Sequence, residues 1–480
     1  MDSNTPNSPS SSDSKIAFQQ TAALLLALAV QEALPGVIPI QAKITEDTFA
    51  YDFICSARLG IQADEKILPH IFQKMKVLQH QDLSFELKTM MRENAVQLFL
   101  HHGQQVQASL VEAMRDNMAT ICKVGRTYDL CSCEPLTTSK EMSDFALYDI
   151  ESKTLFYPTL GTVDVLRVHG AVFTDKKSLK EFVKKQKLAK QNDPETLCEE
   201  LNLLVVKDRP FWLPDGMVVR ENIVQKWKKA CRKWGFELVS TPKITECKTK
   251  KKRQVLQMDD VEAPVFEMEE KLYSFSSLQA EHTELFTFAL SKARYNGPKR
   301  YAELTERETW LYAKDTEGLF LTKSMFCDCL HTFCRPQELA SELNSSLQFI
   351  QEIGRLFALD YSYVFFLPKG KREGKSAIKG QVEVFTQSLE ANSCTFETQV
   401  QKSAILGPKI EAYATDVRGV KWLVATVELA VSDLKDEEGH EFLTMSQSSF
   451  FSLERVVALL VEKSAGVLPL LLQREQIGLE

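Results

Sequence analysis

The feature that most constrains the fold is a 35-residue segment, RYAELTERETWLYAKDTEGLFLTKSMFCDCLHTFC, which runs from Arg300 to Cys334. Near its end, Cys327, Cys329 and His331 alternate along a predicted strand, so their side chains lie on one face of a sheet. Two thiols and an imidazole on one face are compatible with a metal site. The spacing C-x-C-x-H lacks the paired knuckles of a structural zinc site, and three mid-sized side chains that fill a pocket are the alternative.

Composition indicates a large protein with several domains. The chain has 480 residues, 44% of them hydrophobic, so it can bury two or three cores. Its net charge of −7 argues against a globally basic nucleic-acid binder, although local basic patches remain open. The 11 cysteines are scattered without a disulfide-like spacing, which predicts reduced thiols and a cytoplasmic location.

One apolar run, Ala22–Val30, resembles the core of a signal peptide. A membrane span needs about 20 apolar residues, and a secretory signal needs a basic start. Only Lys15 precedes this run, after an acidic, Ser-rich beginning. We therefore expect a buried helix over Ile16–Ala33 and no membrane attachment.

The rest of the chain alternates helical and strand-like patterns. Residues 1–14 are Ser, Asn and Pro without an apolar period, which predicts a disordered tail. Helices are predicted at 16–33, 63–79, 105–118, 176–204, 219–233 and 450–472, and strands at 51–55, 126–131 and 237–240. The charged stretch 247–270 is predicted to be a solvated surface loop. The alternative is a contact with phosphates or an acidic partner through Lys250, Lys251, Lys252 and Arg253.

Arg300–Cys334 resembles the motif 2 region of threonyl-tRNA synthetases, and the two align without a gap over all 35 positions. Further resemblances to this family follow in order along the chain. They are TFAYDF (48–53), YDLC (128–131), LRVHGAVF (166–173), the motif 1-like stretch 211–242, GPKIE (407–411), TVEL (426–429) and the motif 3-like SLER (452–455). Together they span about residues 15–475.

The resemblance implies an α+β protein with two folded domains. An editing-like α+β domain is expected at 15–205, and a class II synthetase-type antiparallel sheet flanked by helices at 206–475. The family also has a ubiquitin-like domain at its N-terminus and an anticodon-binding domain at its C-terminus, and we expect neither in this chain. The implied protein is a degenerate paralogue.

Most positions that carry the family's chemistry hold other residues here. In the synthetic site, the ATP-clamping Arg of motif 2 aligns with Thr309 and the Glu two residues later with Leu311, while the pocket Gln and Asp align with Cys327 and Cys329. The three zinc ligands align with Ala280, His331 and Ser446. In the editing site, the two His of the first helix align with Leu24 and Leu28, the Cys is kept as Cys131, and the last His aligns with Pro135. The two Leu imply a filled hydrophobic cleft.

We therefore predict no catalytic residues and no resident cofactor. One inherited ligand cannot hold zinc, and a new site at 327, 329 and 331 is strained because same-face neighbours on a strand lie about 6.6–7 Å apart. ATP binding is left open, with Arg455 of motif 3 and Lys409 as its candidate residues.

The leading hypothesis for function is an inactive synthetase-like protein that acts as a binding or regulatory scaffold. The alternative is a divergent threonine–tRNA ligase-like enzyme that still binds ATP and activates an amino acid, and a sensor of an adenylate or amino acid is a third. We expect a homodimer through the motif 1 helix and strand, because Trp227, Trp234 and Phe236 supply apolar area. A weak contact with tRNA is a further expectation, and the protein partner is unknown.

Overall fold

The computed structural model describes most of the chain, and the statements below concern those residues. Outside the description lie 1–10, 55–62, 115, 126, 158–159, 208, 247–252, 255–261, 264, 269, 276–284, 286–294, 309–315, 369–374, 402–406, 431–433, 436–438 and 469–480. The chain forms two compact units, which divide between Leu188 and Ala189.

Unit 1 is an α+β unit with two antiparallel sheets. Its helices are α1 (Ser11–Ala33), α2 (Leu68–His80), α3 (Arg92–His101), α4 (Gln105–Glu112) and α5 (Lys176–Gln191), whose last residues pass into unit 2. Its strands are β1 (Ile38–Ile44), β2 (Phe49–Ile54), β3 (Phe85–Met91), β4 (Met118–Val124), β5 (Thr127–Leu130), β6 (Asp144–Tyr157) and β7 (Gly161–Phe173). They form one sheet in the order β1-β2-β7-β6 and a second in the order β3-β4-β5.

The core of unit 1 forms where α1 and α2 cover the larger sheet. Because side chains alternate along a strand, Tyr51 and Phe53 of β2 enter this core while Asp52 points to the other face. There Asp52 is fully buried and accepts two hydrogen bonds from Arg167, at 2.6 and 2.9 Å. Helix α1 holds the one described segment that is long and apolar enough to span a membrane, and 61% of it is buried inside the protein.

The predicted helix over Ile16–Ala33 is confirmed, but it starts at Ser11, so the predicted disordered tail 1–14 is wrong for its last four residues, and residues 1–10 lie outside the description. The predicted helix over 105–118 is too long. Helix α4 ends at Glu112, and β4 starts at Met118. The Asp116 side chain accepts a hydrogen bond from the backbone N–H of Met118 at 3.1 Å, a turn that opens the strand. Helix α3 was not predicted from the sequence.

Unit 2 is built around one large sheet. Its helices are α6 (Pro194–Glu200), α7 (Pro214–Lys233), α8 (Leu339–Leu356), α9 (Lys375–Ala391) and α10 (Leu453–Lys463). Its strands are β8 (Leu204–Val206), β9 (Pro210–Trp212), β10 (Glu237–Leu238), β11 (Ile244–Glu246), β12 (Arg253–Gln254), β13 (Glu262–Ala263), β14 (Val265–Met268), β15 (Lys271–Phe275), β16 (Lys299–Glu308), β17 (Ser324–Cys334), β18 (Ser362–Leu367), β19 (Phe396–Val400), β20 (Lys409–Thr415), β21 (Lys421–Ala430) and β22 (Leu443–Ser448).

The large sheet has eight strands in the order β10-β16-β17-β22-β21-β20-β18-β19. Its central pairs are antiparallel, and only the pairs at the two edges, β10–β16 and β18–β19, are parallel. The smaller sheets pair β11-β15-β14, β12-β13 and β8-β9. An antiparallel sheet with helices beside it is the expected α+β architecture.

Helices α7, α8, α9 and α10 cover one face of the large sheet. Leu330, Val427 and Ile410 are buried on this face, where Trp227 of α7 lies at 1% exposure. Asp328 is also on this face and accepts hydrogen bonds from the Trp227 indole at 3.0 Å and from the hydroxyls of Ser448 and Ser449 at 2.7 and 2.6 Å. One buried carboxyl thereby joins α7, β17 and the end of β22.

The aromatic residues expected to form a dimer interface are used inside unit 2, so the stated reason for that interface is wrong. Trp227 and Phe236 are 1% and 7% exposed. The half-buried Trp234 lies against Phe349 of α8 and donates a hydrogen bond to Glu352 at 3.0 Å. Apolar area for a second copy has to come from other residues.

The predicted helical stretch 176–204 forms two helices rather than one. Asp193 accepts a hydrogen bond from the backbone N–H of Thr196 at 2.9 Å and caps α6, whose first residue is Pro194. The last predicted helix starts at Leu453 because Ser452 caps it in the same way. It ends at Lys463, with Ser464 as its C-cap, so the predicted helix over 450–472 is too long at both ends.

The nine described cysteines are all free. Eight of them are buried, and Cys133 is partly exposed.

Candidate functional site

The face of the large sheet that points away from the helices carries a row of polar and ionisable side chains. Directly paired residues of neighbouring strands share a face, so the register defines the row. The pairs are Glu303–Cys329, Thr305–Cys327, Tyr301–His331, His331–Ser446, Glu428–Ser446 and Lys409–Glu428. This row, named here the polar face, contains five of the residues singled out from the sequence: Cys327, Cys329, His331, Lys409 and Ser446.

The predicted strand with Cys327, Cys329 and His331 is present as β17, and all three side chains are buried, at 3%, 7% and 0% exposure. Each contacts a different residue of β16. The Cys327 thiol donates to the Thr305 carbonyl at 3.6 Å, Arg307 donates to the Cys329 sulfur at 3.1 Å, and the His331 Nε2 lies 3.4 Å from a Glu303 oxygen.

These contacts give a protonated, neutral thiol at the first of the three positions. The hydrogen bond with Cys329 and burial raise the pKa of the Cys327 thiol well above its usual value. Within the described part of the chain, no group of three His, Cys, Asp or Glu side chains is arranged to hold a metal ion.

Glu303 is a polar-face residue that the sequence analysis did not select. Burial opposes its charge, but hydrogen bonds from His331 and Thr241 bring the pKa of this carboxyl below its usual value. Thr241 donates both its backbone N–H, at 2.8 Å, and its hydroxyl, at 2.9 Å. The alternation in AELTER, where Glu303, Thr305 and Arg307 share one face, is the sequence signal that could have found the group.

Arg455, the first nucleotide-binding candidate, lies in the first turn of α10 with only 5% exposure. Its guanidinium donates a hydrogen bond from Nε to the Phe320 carbonyl at 2.7 Å and another from Nη1 to the Leu423 carbonyl at 2.5 Å. The rings of Trp422 and Phe451 each lie 5.6 Å from it. Burial lowers the pKa of Arg455 to about 10, so it stays charged at neutral pH.

The turn that offers the Phe320 carbonyl to Arg455 requires a glycine. Gly318 has φ +52°, and a Cβ there would lie 1.7 Å from the Glu195 carboxylate. The backbone N–H of Glu317 donates to the Leu321 carbonyl at 3.0 Å and closes the turn. Phe320 stacks on Trp422 at 4.8 Å, so Arg455 lies in a closed aromatic setting.

Lys409, the second candidate, begins β20 and forms an ion pair with Glu411 two residues later. Glu411 also accepts a hydrogen bond from the Tyr413 hydroxyl, and the three side chains follow one another along the strand. Burial raises the pKa of Tyr413, and the nearby charge of Arg455 opposes that change. Lys409 and Arg455 therefore have different direct partners, and the electrostatic influence of Arg455 on Tyr413 is what connects the two candidates.

The cleft beside α1 in unit 1 is nearly filled, as the two Leu implied, but its lining is partly polar and not purely hydrophobic. Leu24 and Leu28 line a cavity of about 20 Å³ together with Tyr51 and Asp129. Such a volume suits about one water molecule. The Tyr51 hydroxyl donates to Asp129 at 2.7 Å, and burial raises the pKa of Asp129 to about 7.

The other residues of the inherited sites fall in two groups. Cys131 and Pro135 are buried, and the hydrogen bond with Cys122 and burial raise the pKa of the Cys131 thiol. Thr309, Leu311 and Ala280 lie outside the described residues, as do Lys250, Lys251 and Lys252. Arg253 is in the short strand β12.

Comparison with known proteins gives consistent relatives. No family model matches the chain. It is 23% identical over 468 residues to the threonine–tRNA ligase of Lawsonia intracellularis, covering 94% of this chain and 72% of the relative. The threonine–tRNA ligase of Paracidovorax citrulli is 25% identical over 480 residues, with 96% and 74% covered.

Solved structures support the same fold. The RNA-binding domain of the threonyl-tRNA synthetase of Cryptosporidium parvum superposes with a TM-score of 0.52 at 19% identity, covering 59% of this chain and 75% of that one. The sequence relatives extend over nearly the whole chain, and the eight-stranded antiparallel sheet with flanking helices is the architecture that the motifs implied. The chain is therefore a homologue of the threonine–tRNA ligases, with a class II synthetase fold.

Proposed function

We propose that this chain is a catalytically inactive relative of the threonine–tRNA ligases and acts as a binding or regulatory scaffold. The observation that carries the proposal is the state of Arg455. The Arg455 residue is 5% exposed, and its guanidinium donates hydrogen bonds to two backbone carbonyls, so at least two of its five N–H donors serve the fold. A phosphate clamp needs such donors aimed at the ligand, and losing one costs about 3–4 kcal/mol of transition-state stabilisation.

The neighbouring groups support the same interpretation. Lys409 is paired with Glu411. Cys327 and Cys329 occupy the positions of two polar pocket residues, and burial and their mutual hydrogen bond keep the Cys327 thiol neutral. The polar face therefore satisfies its charges internally.

Pyrophosphate exchange with ATP, measured for each of the twenty amino acids, tests the proposal. We expect no exchange above the level of a reaction without protein. Exchange that depends on any one amino acid would establish the divergent ligase instead. The control is a threonine–tRNA ligase run in the same assay, which must show threonine-dependent exchange for the absence of exchange to count.

We also propose a homodimer, on a surface other than the buried tryptophans. Strand β10 is a two-residue edge of the large sheet, where Leu238 is 40% exposed, and Ile244 shortly after it is 45% exposed. Light scattering at micromolar concentration should give about twice the single-chain mass of 54.5 kDa. A particle of the single-chain mass, or a dimer unaffected by Leu238→Glu, would contradict this surface.

A cytoplasmic location and contact with RNA complete the proposal. The relatives' name specifies tRNA as their substrate. The nine described cysteines are free, which agrees with a reducing compartment.

A further inference from the structure

Helix α5 is strongly basic in a chain that is acidic overall. Its sequence, KKSLKEFVKKQKLAKQ, has seven Lys and one Glu, while the whole chain has a net charge of −7. The function proposed above does not use this helix. Its charge is therefore an unexplained local feature of unit 1.

Four of these lysines form one stripe. Lys177, Lys180, Lys184 and Lys187 follow one another at spacings of three or four residues, which places neighbours about 5–6 Å apart on one side of a helix. All four are exposed. Among the residues that the structure describes, no carboxylate forms an ion pair with any of them, whereas the neighbouring Lys176 lies 3.8 Å from Asp144.

The apolar side of α5 is already occupied. Leu179 is 7% exposed, and the Phe182 ring lies 5.2 Å from Phe173 and 5.6 Å from Tyr148 of the larger sheet. A basic helix that binds a membrane surface inserts its apolar side between lipids. Because most of that side of α5 is packed inside unit 1, the outward side is mainly ammonium groups, with Leu188, at 43% exposure, as its exposed large apolar side chain.

We propose that the lysine stripe of α5 binds the phosphate backbone of duplex RNA. A row of ammonium groups at regular spacing matches a row of phosphates, and displacement of counterions drives such binding without reading sequence. No aromatic side chain belongs to the stripe, so it offers no stacking platform for the bases of a single strand. The choice of RNA over DNA rests on the proposed function, and the surface itself rests on the charge pattern.

The test measures binding of a fluorescently labelled 20-base-pair RNA duplex by anisotropy from about 50 to 200 mM salt, the range in which phosphate contacts lose most affinity. The variant replaces Lys177, Lys180, Lys184 and Lys187 with Ala, which favours the helix. We expect affinity at least about tenfold weaker at low salt. The slope of log K against log salt should become shallower by about 3–4, since each lost phosphate contact removes about 0.9.

The matched control removes the same charge from scattered exposed sites. Lys66, Lys88, Lys140 and Lys421 are replaced with Ala, and both variants should melt cooperatively near the wild-type temperature. The proposal fails if the wild-type protein does not bind the duplex at about 50 mM salt, or if the control loses as much affinity as the stripe variant. Stripe-dependent binding of phosphatidylserine vesicles or poly-glutamate without binding of RNA would equally overturn it.

Failure of this inference is separate from failure of the proposed function. The stripe variant keeps every residue of the polar face, so the pyrophosphate exchange result stands whether or not RNA binds.

Discussion

The two regions of this chain that resemble the family's sites hold their polar side chains in different ways. In unit 1, positions that hold His in the family are Leu24 and Leu28, and what remains is a cavity of about 20 Å³ beside Asp129. In unit 2, the charged side chains are kept and are paired inside the fold. Lys409 and Arg307 of the polar face contact a carboxylate and a thiol, and Arg455 of α10 donates to two backbone carbonyls.

The two regions differ in how much the stability of each unit depends on buried polar groups. Replacing a functional group with Leu adds apolar contact and leaves little unsatisfied. Retaining a buried charge requires partners for every donor, since an unpaired one costs about 1–3 kcal/mol or more. The polar face should therefore be sensitive to substitution, and the cleft of unit 1 should be sensitive mainly to the ionisation of its one carboxyl.

The largest expected effect is in unit 2. Arg455→Ala should lower the free energy of unfolding by about 4 kcal/mol, because it leaves two buried carbonyls without donors and empties a space between aromatic rings. Chemical denaturation followed by tryptophan fluorescence measures this directly.

The matched control for that variant is Arg209→Ala. Arg209 is 46% exposed and pairs with Glu308 at 3.0 Å, so its loss should cost less than about 1 kcal/mol. Equal stability of the Arg455 and Arg209 variants would mean that Arg455 is held for a ligand and not for the fold, and would remove the contrast between the two sites.

The next effect is the pH dependence of unit 1. The pKa of Asp129 is about 7 in the folded protein against 3.8 ordinarily, so the folded state holds an extra proton between those values. The contribution of the protonated Asp129 carboxyl to the free energy of unfolding is therefore fully present below about pH 4. This contribution, roughly 2–4 kcal/mol, is lost as the pH rises through about 7. Asp129→Asn, which stays neutral, should match the wild type at low pH and exceed it by that amount at about pH 8.

Glu462 of unit 2 provides the comparison for this measurement, because burial raises the pKa of its carboxyl to about 7 as well. The difference between the wild-type and Asp129→Asn curves isolates Asp129, since both retain Glu462. Parallel curves over the whole range would show that Asp129 ionises normally and that the cleft is open to water.

The smallest effect concerns the thiols of the polar face. Cys329→Ser should change the free energy of unfolding by about 1 kcal/mol or less, because a hydroxyl can also accept from Arg307. Elemental analysis should find zinc far below one ion per chain in both proteins. About one zinc per chain, lost in the variant, would show that the polar face has gained a metal site.

Elements with long, regular apolar patterns were predicted well. Helix α1 follows from its long apolar run, and the motif 1-like helix and the alternating strand β17 follow from the spacing of their apolar residues. Boundaries set by single side chains were missed. Asp193, before Pro194, divides the helix predicted over 176–204 in two, and Asp116 helps to start strand β4 at the end of the helix predicted over 105–118. These are local hydrogen bonds, which periodicity does not register.

The candidate site was only partly predictable for a related reason. The sequence identified Arg455, Lys409 and the β17 residues. It did not identify Glu303 as the partner of His331 or Arg307 as the partner of Cys329, because the register between strands is a tertiary property. The role of Trp227 was also misjudged. Its indole donates to Asp328 across the helix–sheet contact, a pairing between residues about a hundred positions apart in sequence.

The buried cysteines can serve as separate reporters of structural opening in each unit. Cys122 and Cys131 are inaccessible in unit 1, and Cys198, Cys231, Cys327, Cys329, Cys334 and Cys394 are inaccessible in unit 2. Alkylation of a buried thiol requires the surrounding structure to open, so peptide mass spectrometry after timed exposure to iodoacetamide would record the opening rate of each unit separately. Of the nine described cysteines, Cys133, which is partly exposed, would react first and mark the start of the time course.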